Sequence, residues 1–209
     1  EFNTATIAQL AQCDRMDAVI DFSAPASLPA LAAYVQRTGT PLVSGTTGYC
    51  DEEAARVNAL GDYAPVAVSA NFSIGVAVLK HLAAEAAALL PDFDIEIIET
   101  HHRMKKDAPS GTAKLLLSAV NPDGTHPTFF GREGFAPRTA GEIGVHAVRG
   151  GTVAGVHTVS FFGDEEELSL THRAESRRIF AIGALKTAEK LKDAPVGLHT
   201  LDELLFARR

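Results

Sequence analysis

The sequence is poor in cysteine, with only Cys13 and Cys50 among 209 residues. The two stand far apart and outside any CxxC-type spacing, which argues against a disulfide framework and against a zinc site. No apolar run comes near the ~20 residues that a membrane span needs. The opening residues Glu1-Phe2-Asn3-Thr4 have neither the basic start nor the apolar stretch of a signal peptide. A cytoplasmic protein without a membrane partner is therefore expected. Cationic residues are in deficit, 19 against 26 acidic ones, for a net charge of −7. The broad basic surface that phosphate backbones require is missing, which excludes nucleic acid as a partner. What is present is ordinary for a globular chain: 46% hydrophobic and 22% charged residues exclude disorder, collagen and fibre, and the length fits one large domain or two small ones.

Between residues 17 and 75 one pattern recurs three times: an apolar strand-like run, a turn of small residues, then a helical stretch. The runs are Ala18 to Phe22, Pro41 to Ser44 and Pro65 to Ser69, joined by Ala-rich segments over Pro25 to Gln36 and Cys50 to Leu60. Such repetition predicts parallel strands with crossover helices in a doubly wound sheet. Folds of that kind bind ligands at the carboxyl ends of their strands. There the sequence places Ser23-Ala24-Pro25, Gly45-Thr46-Thr47-Gly48 and Ala70-Asn71-Phe72-Ser73, turns that serve a ribose, phosphate or amide, or that are ordinary turns. Ile74 to Leu90 predicts a mostly buried helix ended by Pro91. Further on, Val145 to Arg149, Thr152 to Phe162 and Glu166 to His172 are β-rich and separated by Gly150-Gly151 and Gly163-Asp164, which predicts an antiparallel meander. Arg178 to Lys192 predicts an amphipathic helix bearing Ile179, Ile182, Leu185 and Leu191.

The densest chemistry lies between residues 101 and 113, His-His-Arg-Met-Lys-Lys-Asp-Ala-Pro-Ser-Gly-Thr-Ala. Five of the six residues from His101 to Lys106 can carry positive charge, and an acidic chain that gathers cations there attracts an anion locally. The bland alternative is a solvated basic loop. Pro109-Ser110-Gly111 reads as a helix start with Ser110 as cap, and a helix N-terminus is a ready site for a carboxylate or phosphate. Lys105 and this helix end are thus placed to grip one or two carboxylates, with His101 and His102 at the reacting atoms, since histidine titrates near working pH. Neighbours on an extended strand point to opposite faces, so the His101-His102 pair is a poor metal site. The isolated histidines, His81, His126, His146, His157, His172 and His199, are expected to be surface or packing residues.

Glu99 to Ala113, with Asp21-Phe22-Ser23, Ser44 to Gly48 and Ala70 to Val76 in the same order around it, resembles the signature of the dihydrodipicolinate reductase family of the lysine pathway, over residues from about 17 to the C-terminus. The resemblance implies reduction of a cyclic dicarboxylate, dihydrodipicolinate, to tetrahydrodipicolinate with NADH or NADPH. It also implies an α/β fold: an incomplete Rossmann-type dinucleotide-binding domain over 1–73 and 178–209, plus an α+β domain over 74–177 whose open mixed sheet binds substrate and builds a homotetramer. By position, His101 resembles the family's acid/base residue and Lys105 its proton donor. His102, Ser110, Gly111 and Thr112 resemble its substrate contacts. Gly45, Thr46, Thr47, Ser69, Ala70, Asn71 and Phe72 resemble its cofactor loops, and Arg177 a residue near the nicotinamide.

The sequence departs from that family at its start, because no glycine precedes Gly39. A Gly-rich pyrophosphate turn and the first βαβ unit are therefore missing from it. It is expected to be part of a longer protein, with joins near Asn3-Thr4 and Val120-Asn121. Two other readings are a non-catalytic oligomerising remnant that binds an anionic metabolite, and a metal-dependent hydrolase using His101 and His102.

Overall fold

Short β-branched runs followed by Ala-rich segments fold as the alternation predicts. In the computed structural model, which describes residues 7–206, Val19–Asp21 (β1), Leu42–Ser44 (β2) and Pro65–Val68 (β3) form a parallel sheet in the order β1-β2-β3, and Gly197–His199 (β9) joins parallel to β3. A short helix, Ile7–Leu10 (α1), precedes β1. Pro25–Ser27 makes a single 3₁₀ turn into Leu28–Thr38 (α2), which ends where Gly39, at φ 64°, takes the left-handed conformation and donates its N–H to Val35 O. The α2 face made by Leu28, Leu31, Ala32, Tyr34 and Val35 is buried and shares a core with Leu42, Leu60 and Val66. Asp51–Asn58 (α3) starts on three acids, with the Glu53 carboxylate accepting from the Cys50 N–H at 2.9 Å. Both suit the positive end of a helix.

These elements belong to one of two units, formed by the chain up to Ser73 and from Phe180 onward. Its last long helix, Arg178–Leu191 (α6), forms where the spacing predicts, but with a different buried face. Ile182 is exposed, whereas Gly183, Ala184, Thr187, Ala188 and Leu191 are buried, with Ala184, Ala188 and Leu191 packed against Val43, Ala67 and Phe72. Small side chains let the helix axis approach the sheet, so the inward stripe is the small one. A final helix, Leu201–Phe206 (α7), ends the described chain.

The second unit, Ile74–Ile179, is built on Ile74–Leu89 (α4), Asp94–His101 (β4), Gly111–Val120 (α5), Thr128–Phe130 (β5), Ile143–Arg149 (β6), Gly155–Phe162 (β7) and Glu167–Ala174 (β8). The expected meander is corrected here, since the strand order is β5-β6-β4-β7-β8. β6 lies parallel to β4, and only β7 and β8 form an antiparallel hairpin. β4 takes the place between β6 and β7. The Gly150-Gly151 segment is therefore not a hairpin turn: Gly150 N–H donates to His101 O at 2.9 Å and Gly151 O accepts from Arg103 N–H at 3.2 Å, closing over the end of β4. At Val120-Asn121 the chain leaves α5 with Asn121 N–H on Leu117 O at 2.9 Å; the other expected join, Asn3-Thr4, lies outside the described residues.

Period-two alternation sorts β4 into two faces. Ile95, Ile97, Glu99 and His101 are buried under α4 and α5, while Asp94 and Ile98 are exposed on the opposite face. Leu79, Ala83, Ile97, Leu116, Val159 and Phe161 make the core between sheet and helices. Adjacent positions on α5 give a clean test of that core. Leu116→Ala, at a fully buried site, is expected to cost about 2–5 kcal/mol, and Leu115→Ala, at a site 37% exposed, less than about 1 kcal/mol. Urea unfolding of the two variants checks the difference.

Candidate active site

The alternation that buries Ile95 and Ile97 also carries Glu99 and His101 to the helix-covered face. Parallel pairing sets Arg149, the last residue of β6, beside His101, and antiparallel pairing sets His157 of β7 opposite Glu99. Ser110, at the start of α5, completes the group. Glu99 is fully buried. Its Oε1 accepts from Ser110 N–H at 3.0 Å and Arg149 Nη2 at 2.7 Å, and its Oε2 accepts from Arg149 Nη1 at 2.8 Å and meets His101 Nδ1 at 2.5 Å. Burial pushes the Glu99 pKa up, but the bonds from Arg149, His101 and Ser110 outweigh it and hold the carboxyl below its usual range.

His157 is not the isolated packing residue expected from the sequence. Its ring lies edge-on to His101 with centroids 5.1 Å apart, and its Nε2 is 3.0 Å from Ser110 Oγ. Burial first, and the neighbouring His101 second, push its pKa down to about 4. Nothing in local spacing joins residues 56 and 47 positions from their partners; the one legible sign was His157 at a core position of the β7 alternation. Glu99 carried the same sign, a carboxylate in register with Ile95 and Ile97. Arg149 carried none.

Ser110 caps α5 as expected, with an extended backbone and its Oγ accepting from Ala113 N–H at 3.2 Å. Gly111 is exposed, and a Cβ built on it would meet no atom within 4 Å, so the helix end borders open space. Lys105 is mostly covered and pairs through Nζ with Asp107 at 2.8 Å, and this bond first of all holds the Asp107 carboxyl below its ordinary range. Arg149 fixes the same loop from below, donating to Asp107 O at 2.7 Å. His102, half-buried, opens the loop beyond the strand, and Thr112 lies in the first turn of α5. His101, His102, Lys105, Ser110, Gly111 and Thr112 thus gather at one end of one unit. Among the described residues no group of three or more His, Cys, Asp or Glu is arranged to hold a metal ion.

In the other unit, β1, β2 and β3 run in one direction, so their carboxyl ends share an edge. Asp21, at the end of β1, accepts from the Thr46 hydroxyl at 2.6 Å and from the Ser23 hydroxyl at 2.5 Å. The Thr46 side chain therefore faces inward, and Thr47 and Gly48 are the exposed part of that turn. Gly45 approaches Phe22 so closely that a Cβ would stand 2.3 Å from the ring. Ser69 Oγ donates to Asn71 O at 2.9 Å and Asn71 Oδ1 accepts from Ser73 N–H at 2.8 Å, while the Phe72 side chain is core at 1% exposure. Exposed turn backbone with short polar side chains at the strand ends fits part of a dinucleotide. Arg177, exposed, precedes α6 in the second unit.

Residues 2–72 match the family described as dihydrodipicolinate reductase, N-terminus, and residues 75–205 its C-terminus. The 4-hydroxy-tetrahydrodipicolinate reductase of an Exiguobacterium species is 45% identical over 190 residues, 90% of this chain and 76% of that one. The enzyme of the same name from Methanocorpusculum labreanum is 44% identical, over 90% of this chain and 75% of its own length. Among solved structures, a dipicolinate-bound dihydrodipicolinate reductase from Paenisporosarcina sp. TG-14 matches with a TM-score of 0.73 and 26% identity, over 91% of this chain and 74% of that one. An amine dehydrogenase from Mycobacterium smegmatis, at TM-score 0.53 and 11% identity, shares the fold. With both family halves matched in order across nearly all of its residues, the chain belongs to the dihydrodipicolinate reductase family.

Proposed function

We propose that His101 and Lys105 handle the protons in the reaction of this family, the NAD(P)H-dependent reduction of 4-hydroxy-tetrahydrodipicolinate to tetrahydrodipicolinate in diaminopimelate and lysine biosynthesis. The observation that carries the proposal is the gathering of His101, Lys105 and the open N-terminus of α5 at one end of β4. In this reading the first-turn N–H groups of α5, with Ser110, Gly111, Thr112 and His102, hold the substrate carboxylates. His101 exchanges a proton with the ring, Lys105 donates one to it, and the 4-hydroxyl leaves as water. NAD(P)H, when bound, supplies the hydride. Gly45, Thr46, Thr47 and the Ser69–Phe72 loop would hold it, through backbone and exposed side chains, with Arg177 beside the nicotinamide.

On this reading 1–73 with 178–209 is the dinucleotide-binding domain and 74–177 the substrate and tetramerisation domain. A non-catalytic remnant is not favoured, since relatives matched over nine tenths of the chain are named as reductases. A cytoplasmic location goes with the reading; among the described residues both thiols are free and no helix is long and apolar enough to cross a membrane. Assembly as a homotetramer is supported by the face of the mixed sheet opposite α4 and α5, where Ile98, Val148 and Phe162 are each 39% exposed or more. Apolar residues on both faces of a sheet call for a second cover.

Loss of nicotinamide absorbance with freshly made substrate tests the roles. His101→Ala and Lys105→Ala are each expected to lower kcat by about 10²–10⁴-fold; undiminished rates in both would refute the assignment. Ile98→Asp with Val148→Asp is expected to reduce the sedimenting mass below that of a tetramer, and an unchanged mass would refute the interface. A third outcome concerns pH. Because folding holds His157 at a pKa of about 4 against an ordinary value near 6.5, the unfolded chain binds the proton that the native one refuses. Stability is then full above pH ~6.5 and falls as pH drops toward 4, by on the order of 3 kcal/mol. His157→Gln should flatten that slope in unfolding measured between pH 4 and 7.

A further inference from the structure

We propose that Glu99 is a positioning residue that fixes His101 as the tautomer protonated on Nδ1, so that Nε2 is the nitrogen offered for proton transfer. The proposal rests on the acid–base role given to His101 above and adds a residue and a direction to it. Three of the four contacts to Glu99 come from obligate donors: Ser110 N–H and Arg149 Nη2 on Oε1, and Arg149 Nη1 on Oε2. An ionised carboxylate is acceptor-only, so the fourth contact, 2.5 Å from Oε2 to His101 Nδ1, is made by a proton on the ring nitrogen. The other edge of the ring faces Gly155. A Cβ there would stand 3.1 Å from Nε2 and 3.5 Å from Cδ2, and glycine leaves that nitrogen clear. Arg149, reaching Glu99 from β6 and the 102–110 loop through Asp107 O, ties this orientation to the loop that carries Lys105.

Glu99→Gln separates charge and tautomer from shape. Its carbonyl oxygen is drawn to the Oε1 position, where Ser110 N–H and Arg149 Nη2 both need an acceptor. The amide NH₂ then replaces Oε2, gives up the bond from Arg149 Nη1 and faces His101 Nδ1, which must accept, so the ring proton moves to Nε2. Histidine ¹⁵N NMR, with the His101 signals assigned by their absence in His101→Gln, reads this directly. The wild-type protein is expected to show Nδ1–H and Glu99→Gln to show Nε2–H, with kcat lower by about 100-fold and KM within about threefold. Glu99→Asp, shorter but still a charged acceptor, should restore Nδ1–H and recover at least about tenfold of that loss. A wild-type ring protonated on Nε2 overturns the proposal without any variant. So does a Glu99→Asp enzyme no more active than Glu99→Gln, the result a merely structural carboxylate would give. A flipped tautomer with undiminished kcat upholds the hold of Glu99 on the ring and removes His101 from the chemistry, which is a failure of the functional reading alone.

Discussion

A carboxylate buried without partners costs several kcal/mol, and removing one partner of a buried ion pair about 3–5 kcal/mol. Glu99, with no exposed surface at the centre of the mixed sheet, sets that constraint on everything around it. Satisfying it takes an arginine from one flanking strand, the first free N–H of α5 and the ring of His101. Each of these groups is fixed by the contact. Ser110 is thereby held where it caps α5, Arg149 where it supports the loop through Asp107, and His101 in one ring orientation. The fixed ring geometry that the proton transfer proposed for His101 would require is therefore a by-product of keeping one acid satisfied.

The parallel sheet uses the same device on a smaller scale. Asp21, 8% exposed at the end of β1, draws in the hydroxyls of Thr46 and Ser23, and Ser23 in turn lies 2.6 Å from Ser27 Oγ at the foot of α2. An acid at a strand end thus ties together the turns after β1 and β2. Thr46 acts inward in this arrangement, so what the Gly45–Gly48 turn presents outward is the Thr47 side chain and backbone.

Local signals were read correctly where a residue acts on its own neighbourhood. Ser110 as a cap, Pro91 as a helix stop and the strand–helix alternation all follow from interactions within a few positions. The motif from His101 to Thr112 was legible for the same reason, since charge, cap and helix start are contiguous. The failures were long-range. Glu99 follows Ile95 and Ile97, and His157 stands with Val159 and Phe161, in alternating runs that mark a polar group at a core position but not its long-range partner. Arg149 meets Glu99 across 50 positions, with no trace in either segment. On α6 the period predicts the helix and its buried Leu191 but not the exposure of Ile182, because period alone cannot tell a face chosen for bulk from one chosen for close approach.

The misplaced meander is the most consequential of these, because sheet order is what assembles the site. A hairpin of β6 with β7 would have satisfied the Gly150-Gly151 signal and left β4 outside the pair, with at most one of them beside it. Inserting β4 between them places Arg149 on one side of the Glu99–His101 pair and His157 on the other. Parallel pairing brings the carboxyl end of β6 to the carboxyl end of β4, and antiparallel pairing brings the amino end of β7 to the same edge. All three contribute a polar residue at that edge, on the face covered by α5, whose amino end is held there by the Ser110 N–H on Glu99. A mixed sheet is thus a requirement of this cluster: either pure arrangement would carry one of the flanking side chains to the opposite edge.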